Sequence, residues 1–500
     1  VKRRAFLGGV AAATAAGITI LRRSSPALAT WGEWPLDKLD AVLPEPRRVK
    51  NVLELYMYGG INAFDGLYTV PGWGHGNDTF LNVFYDATVN RFEACGFSGE
   101  LTEPFGDDET GTTVHLGPWT TPLRQRPDVL ARTRIMVQRH EQFPHEGANP
   151  LALTGSRLGS PRMAGAGAAV QRYFSERDGG VRAAPYAYVL YPGSEFPTDN
   201  VRSASNVGLH PASAAPLGLN VDASSELVRL LARENLGASR HEFDAAVDHY
   251  LRAYEDRFRP HGIGATTRSA TRSSYTFANY AKSRSPELQD VLAADLFEPI
   301  PRAECGDTAD SIPAMQARTA ARLLTRFDNQ ARYVQWIDAG FIPASSGGHD
   351  THSRHVTYTA RNATHTFACL TSIINAPGEN DPTKLDLDDT MIVINTEFGR
   401  TPDRQDEGDG LNHWPHGYVT AMIGGPITNT ERGIYGYITE HEGAAEKWIT
   451  PAENRIMLLC ALGIYPFSSQ TFAVGDVRGG PRDELQAALR IKQEYFGIAK

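Results

Sequence analysis

The sequence is poor in cysteine. Four in 500 residues, Cys95, Cys305, Cys369 and Cys460, exclude a scaffold built on disulfides. Cys369 and Cys460 sit in apolar helical patterns and read as buried free thiols. Cys95 and Cys305 sit in polar, loop-like stretches, and whether they pair is left open. Basic charge is also short: 49 Lys and Arg stand against 58 Asp and Glu, a formal net charge of −9. No basic patch offsets this, so the chain does not read as a nucleic-acid binder. No internal repeat is visible. Gly165-Ala166-Gly167 lacks the third glycine and the leading strand of a dinucleotide fingerprint. What remains, 41 % hydrophobic and 21 % charged, is an ordinary globular composition.

The first thirty residues stand apart. Lys2-Arg3-Arg4-Ala5-Phe6-Leu7 leads a mild apolar run, Gly8 to Leu21, and Ala27-Leu28-Ala29 offers small residues for cleavage. This order predicts an export signal over residues 1–29. The run is too short and too rich in Ala and Gly for a good membrane span. Arg3-Arg4-Ala5-Phe6-Leu7 resembles a twin-arginine signal, with Lys2 where Ser or Thr is usual.

Beyond it, strand patterns alternate with helical ones, which predicts an α/β fold with a mainly parallel sheet flanked by helices. Strands are expected near 50–58, 133–139, 186–191, 391–396 and 418–423 in one sheet. From 225 to 342 the apolar period changes to 3.6, including Pro313 to Asp338, and predicts a helical insertion. Residues 192–225 read as loop. Thr450-Pro451-Ala452-Glu453 is a capping box opening a helix, and a last helix is expected over Asp483 to Phe496 in the tail 466–500.

The chemistry gathers between Ser345 and Pro415. Gly347-Gly348-His349-Asp350-Thr351-His352-Ser353-Arg354-His355 supplies three histidines and an acid. The buried-strand pattern Met391-Ile392-Val393-Ile394 then runs into Glu397-Phe398-Gly399-Arg400-Thr401-Pro402, and Asn412-His413-Trp414-Pro415-His416 follows. A carboxylate and an arginine directly after a buried strand lie where open α/β sheets place their ligand crevices. Asp, Glu and His are ligands that Zn, Mn or Fe accept. Asp65, after the first strand's Gly59-Gly60, is a further carboxylate at the same edge. His145 stands just before a small-residue helix start, where anions and nucleophiles are favourably placed.

Gly-Gly before Asp65, Ala152-Leu153-Thr154-Gly155, the Asp350-Thr351-His352 triplet, Glu397 to Pro402 and Asn412 to Pro415 together resemble the domain-of-unknown-function 1501 family, over about residues 48–465. That family resembles the alkaline phosphatase and sulfatase superfamily. The resemblance implies an alkaline phosphatase-like α/β domain in a chain exported to the periplasm or beyond. It also implies a divalent ion (Zn, Mn, Ca or Mg) held by Asp65, Asp350, His352, Glu397 and His413. Arg400 would hold an anionic group. The superfamily's nucleophile position falls on His145 rather than Ser, Thr or Cys, which leaves attack by metal-activated water or by His145 itself.

Two functions are expected from this. The first is a metal-dependent hydrolase of phosphate- or sulfate-type esters, acting on an anionic small molecule or polymer. The second is a non-catalytic exported binding protein that uses the same loops to hold an anionic glycan or a partner protein. Export has its own test: the mature chain should begin at Thr30, read by N-terminal sequencing. Replacing Arg3 and Arg4 together by Lys should block export through the twin-arginine route; unimpaired export would exclude that route.

Overall fold

The computed structural model describes residues 31–499, apart from 76–77, 161–163, 178–185, 194–198, 208–215, 326–330, 341–347, 406–407 and all but a few residues of 222–310. The expected signal and most of the expected insertion therefore lie outside the described residues.

The framework is an eight-stranded sheet. In chain order its strands are β1 (Asn51–Met57), β2 (Thr133–Gln138), β3 (Ala187–Tyr191), β4 (Leu217–Asn220), β5 (Tyr333–Asp338), β6 (Thr390–Asn395), β7 (Tyr418–Gly424) and β8 (Gly433–Tyr435). Across the sheet they run β8-β2-β7-β6-β1-β5-β3-β4. All neighbours are parallel except β7, which is antiparallel to both β6 and β2. The principal helices are α1 (Tyr85–Ala94), α2 (His145–Thr154), α3 (Ala166–Arg177), α4 (Ile312–Thr325), α5 (His355–Ser372), α6 (Pro451–Ala461) and α7 (Glu484–Arg490).

The strand pattern explains the layering. β1 and β6 are buried along their whole length, so alternate side chains feed two cores. Leu53, Leu55, Ile392, Ile394, Val334 and Trp336 pack on one face against α4 and α5. Val52, Met391, Val393 and Met422 pack on the other against α3, α6 and the C-terminal residues Ile491 and Tyr495. α6 begins with the expected capping box between Thr450 and Glu453. Asp483 caps α7, and a π turn over Ile491–Tyr495 extends it.

The five expected strands all lie in this sheet. Three elements differ. Tyr333–Asp338, expected as helix, is the central strand β5, paired to both β1 and β3. Leu217–Asn220, inside an expected loop, is the edge strand β4, and Gly433–Tyr435 is the opposite edge. α4 is not peripheral either: Gln316 donates to the Leu190 and Ile337 carbonyls at 3.1 and 2.8 Å, which seats it on the sheet. Cys369 and Cys460 are free and buried as expected. Cys95 is disulfide-bonded, and Cys305 lies outside the described residues.

One polar group is set into the inner layer. Glu54, fully buried in β1, accepts from Asn395 at 2.8 Å and Gln335 at 3.0 Å and pairs with Arg455 of α6 at 2.7 Å. The Tyr333 hydroxyl also donates to it. Three strands and a helix are thereby tied at one point, and each carboxylate oxygen is satisfied.

His365, buried in α5 and 2.6 Å from the Ser311 hydroxyl, titrates low, at about 4, because burial disfavours its charged form. Its unfolded pKa is about 6.5, so between those values the unfolded chain binds the extra proton. Stability is therefore full above pH 6.5 and is lost as pH falls toward 4. The loss attributable to His365 is about 3 kcal/mol at pH 4. His365→Gln should flatten this part of the acid limb in urea unfolding measured from pH 7 to pH 4.

Candidate metal centre

The parallel strands deliver their C-terminal ends to one edge. β1 runs into Tyr58-Gly59-Gly60, β2 into the segment ending at His145, β5 into the loop carrying His349 to His352, and β6 into Glu397 to Arg400. β7 runs the other way, so the residues before it reach the same edge. There Gly399–Arg400 pairs antiparallel with His413–Trp414. The crossing at Gly60 requires glycine: φ is +91°, and a Cβ would stand 2.7 Å from the Phe398 ring.

Three imidazoles converge on Asp350. His145 Nε2 lies 3.4 Å from Oδ2, while His352 Nε2 and His413 Nε2 lie 3.2 and 3.5 Å from Oδ1. Each ring is held from behind by an oxygen. His145 Nδ1 donates to Glu397 Oε1 at 2.9 Å, His352 Nδ1 to Gln405 Oε1 at 3.0 Å, and His413 Nδ1 to the Phe143 carbonyl at 2.7 Å. Those bonds place a proton on each Nδ1 and turn each Nε2 inward. Phe398, fully buried, forms the floor: its ring stacks on His413 at 4.2 Å and lies 5.0 Å from His145.

The donor set fits a transition-metal ion. Ligands about 2.0–2.1 Å from a tetrahedral ion are about 3.3 Å from one another, close to the three imidazole–carboxylate separations. His352 Nε2 and His413 Nε2 face each other at 2.9 Å, and two such nitrogens must share a proton or a cation. His145, Asp350 and His413 each present a ligand atom within 4.8 Å of the others. The cluster is not sealed: the His352 side chain is 39 % exposed, so one side faces water, as in catalytic rather than structural metal sites.

The charges are balanced from below. Burial alone would raise the Asp350 pKa, but His145, His413 and Arg400 together hold it well below the usual carboxylate range. Burial also works against a charged His145, yet Asp350 and Glu397 prevail and raise it to about 9. His352 is pushed down, chiefly by burial.

Several expected roles change. Glu397 is not among the converging ligands; it is fully buried, orients His145 and accepts the Gly59 N–H at 2.7 Å. Asp65 is also outside the cluster. Its Oδ2 accepts from His355 Nε2 at 2.7 Å and from Trp119 at 3.3 Å, so its carboxylate is committed within the core. Arg400 is not poised to clamp a ligand anion. Fully buried, it donates to the carbonyls of Gly59, Gly60 and Leu411 and pairs with Asp350. Of the other loop histidines, His349 is buried on Asp338 at 2.8 Å, and His416 lies 3.6 Å from Glu141. Gln405 and the Phe143 carbonyl carried no signal in the sequence. The first is one polar loop residue among many, and the second is backbone.

Removing Arg400 would strand Asp350 and three carbonyls. Arg400→Met should lower the unfolding free energy by about 3–5 kcal/mol. Arg400→Lys should recover only part, since an ammonium cannot span the acceptors a guanidinium reaches. Urea midpoints at unchanged m-value would measure both.

No curated protein and no solved structure matches the chain. Residues 49–453 match the protein-family model described as protein of unknown function (DUF1501), and the chain belongs to that family.

Proposed function

We propose that His145, Asp350 and His413 hold one divalent transition-metal ion, joined by His352 from the exposed side, and that the chain is an exported hydrolase of phosphate- or sulfate-type esters. The observation that carries this reading is the convergence of three Nε2 atoms on one carboxylate, each ring held at Nδ1 by an oxygen. Three imidazoles favour Zn or Mn over Ca or Mg, which take mostly oxygen. Bound there, the ion would supply a Lewis acid for an ester oxygen and lower the pKa of water.

The protein's own groups suit an anionic substrate. Asp350 and Glu397 offset Arg400 and all but one charge of a dication, leaving the centre net positive with neutral imidazoles. α2 starts at His145, so the positive end of its dipole adds to that field. Both nitrogens of His145 face carboxylates, which supports water rather than His145 as the attacking group. The resemblance to the alkaline phosphatase and sulfatase superfamily points to the same reaction class. Export rests on the sequence of residues 1–29.

A second reading, an exported binding protein for an anionic glycan or a partner protein, draws on the shape of the site. Two pockets in the described residues lie beside Arg455 and beside Asp65, and neither is lined by the histidine cluster. The exposed side of the cluster suits a polymer or a surface as well as a small ester.

Elemental analysis of the mature chain should find about one Zn or Mn per chain. Hydrolysis of p-nitrophenyl phosphate or sulfate should stop with a chelator and return with Zn²⁺ or Mn²⁺. Glu397→Gln should weaken metal binding roughly 10–100-fold through the His145 ring. Metal without turnover would favour the binding reading; a chain that takes up neither ion would end the metal proposal.

A further inference from the structure

We propose that His355 is a positioning residue for the metal centre, acting through a buried relay, Asp65–His355–Thr351, that fixes the loop bearing Asp350 and His352. The inference rests on the metal reading above.

The proton order in the relay follows from its first member. Ionised Asp65 can only accept, so His355 Nε2–H donates to Oδ2 at 2.7 Å. Nδ1 is then the acceptor, and the Thr351 hydroxyl donates to it at 2.8 Å. All three residues are buried; His355 and Thr351 are only 2 % and 1 % exposed. Asp65 spends one oxygen on this chain and on Trp119, while Oδ1 has no hydrogen-bond partner among the described residues. Of the two donors on Oδ2, His355 is the nearer.

Thr351 lies between the two ligands. Thr351 turns inward to His355, while Asp350 and His352 on either side of it reach the cluster. The same residue is tied on its backbone: its carbonyl accepts the Leu411 N–H at 3.0 Å, and the Leu411 carbonyl accepts from Arg400 at 3.1 Å. Arg400 closes the circuit on Asp350. Next to Leu411, Gly410 passes so close that a Cβ would fall 1.8 Å from the His352 carbonyl oxygen. The ligand loop is therefore pinned on one side by the relay and on the other by the buried residues 410 and 411. Filling space alone would not need a hydroxyl at 351, because valine has the same shape.

The test is Zn²⁺ titration of the full mature chain against a competing chelator, beside the melting temperature of the metal-free chain. Thr351→Val should weaken Zn²⁺ binding about 10-fold, and His355→Leu by that much or more. Joined in one chain, the two should cost no more than His355→Leu alone, because they cut the same relay. His355→Gln offers a donor and an acceptor and should stay within a few-fold of the unaltered chain. Variants that melt earlier but bind Zn²⁺ as the unaltered chain does, or whose effects on binding add, would overturn the proposal. Failure of the unaltered chain to bind Zn²⁺ would overturn the metal reading itself, and needs no variant to be seen.

Discussion

The site depends on how the negative charge of Asp350 is compensated. A half-buried carboxylate is costly unless it is paired. Here Arg400 pairs with it from the protein side, and three imidazoles face it from the solvent side. Arg400 can do this because it is itself coordinated by three carbonyls from the ends of β1 and the 411 loop. The result is an arrangement in which Asp350 is held from both sides and the imidazoles are fixed around it.

Beneath this centre the sheet is stiffened by the Glu54–Arg455 network. It joins β1, β5 and β6, three of the strands whose ends carry site residues. A polar cluster there contributes less through net stability than through register, because a shift of β1 by one residue would bury Glu54 on the wrong face. The ends of these strands are thus held in the one alignment that brings the imidazoles together.

Much of this was legible in the residues. Runs such as Met391 to Ile394 announce a strand buried on both faces, and the clustering of His352, Asp350 and His413 on loops marks the site. β5 was not legible. Tyr333 to Asp338 follows an amphipathic helix with no Gly or Pro between Thr325 and Tyr333, and six apolar-rich residues fit either period. Asp65, Glu397 and Arg400 were seen as site residues, but their partners were not. Whether a carboxylate binds a metal or a histidine depends on which side chain the fold places beside it, and residue type alone does not specify that. His355 shows the same limit in reverse: it is one histidine of a polar loop in the sequence, and only the fold places it in the core against Asp65.

The reversed direction of β7 has a further consequence. β6 and β7 are neighbours, so the stretch from Glu397 to His416 is one excursion from the sheet whose two stems are paired through Arg400 and His413. Its stems carry the chemistry, while beyond them Gln405 meets His352 and Arg404 donates to the Val83 carbonyl at 2.8 Å. Because the stems are already closed, added length at the tip costs little, growing only with the logarithm of loop size. The rim of the site can therefore diverge in shape and charge while the strands below keep their alignment, a division of labour that lets one scaffold serve different ligands.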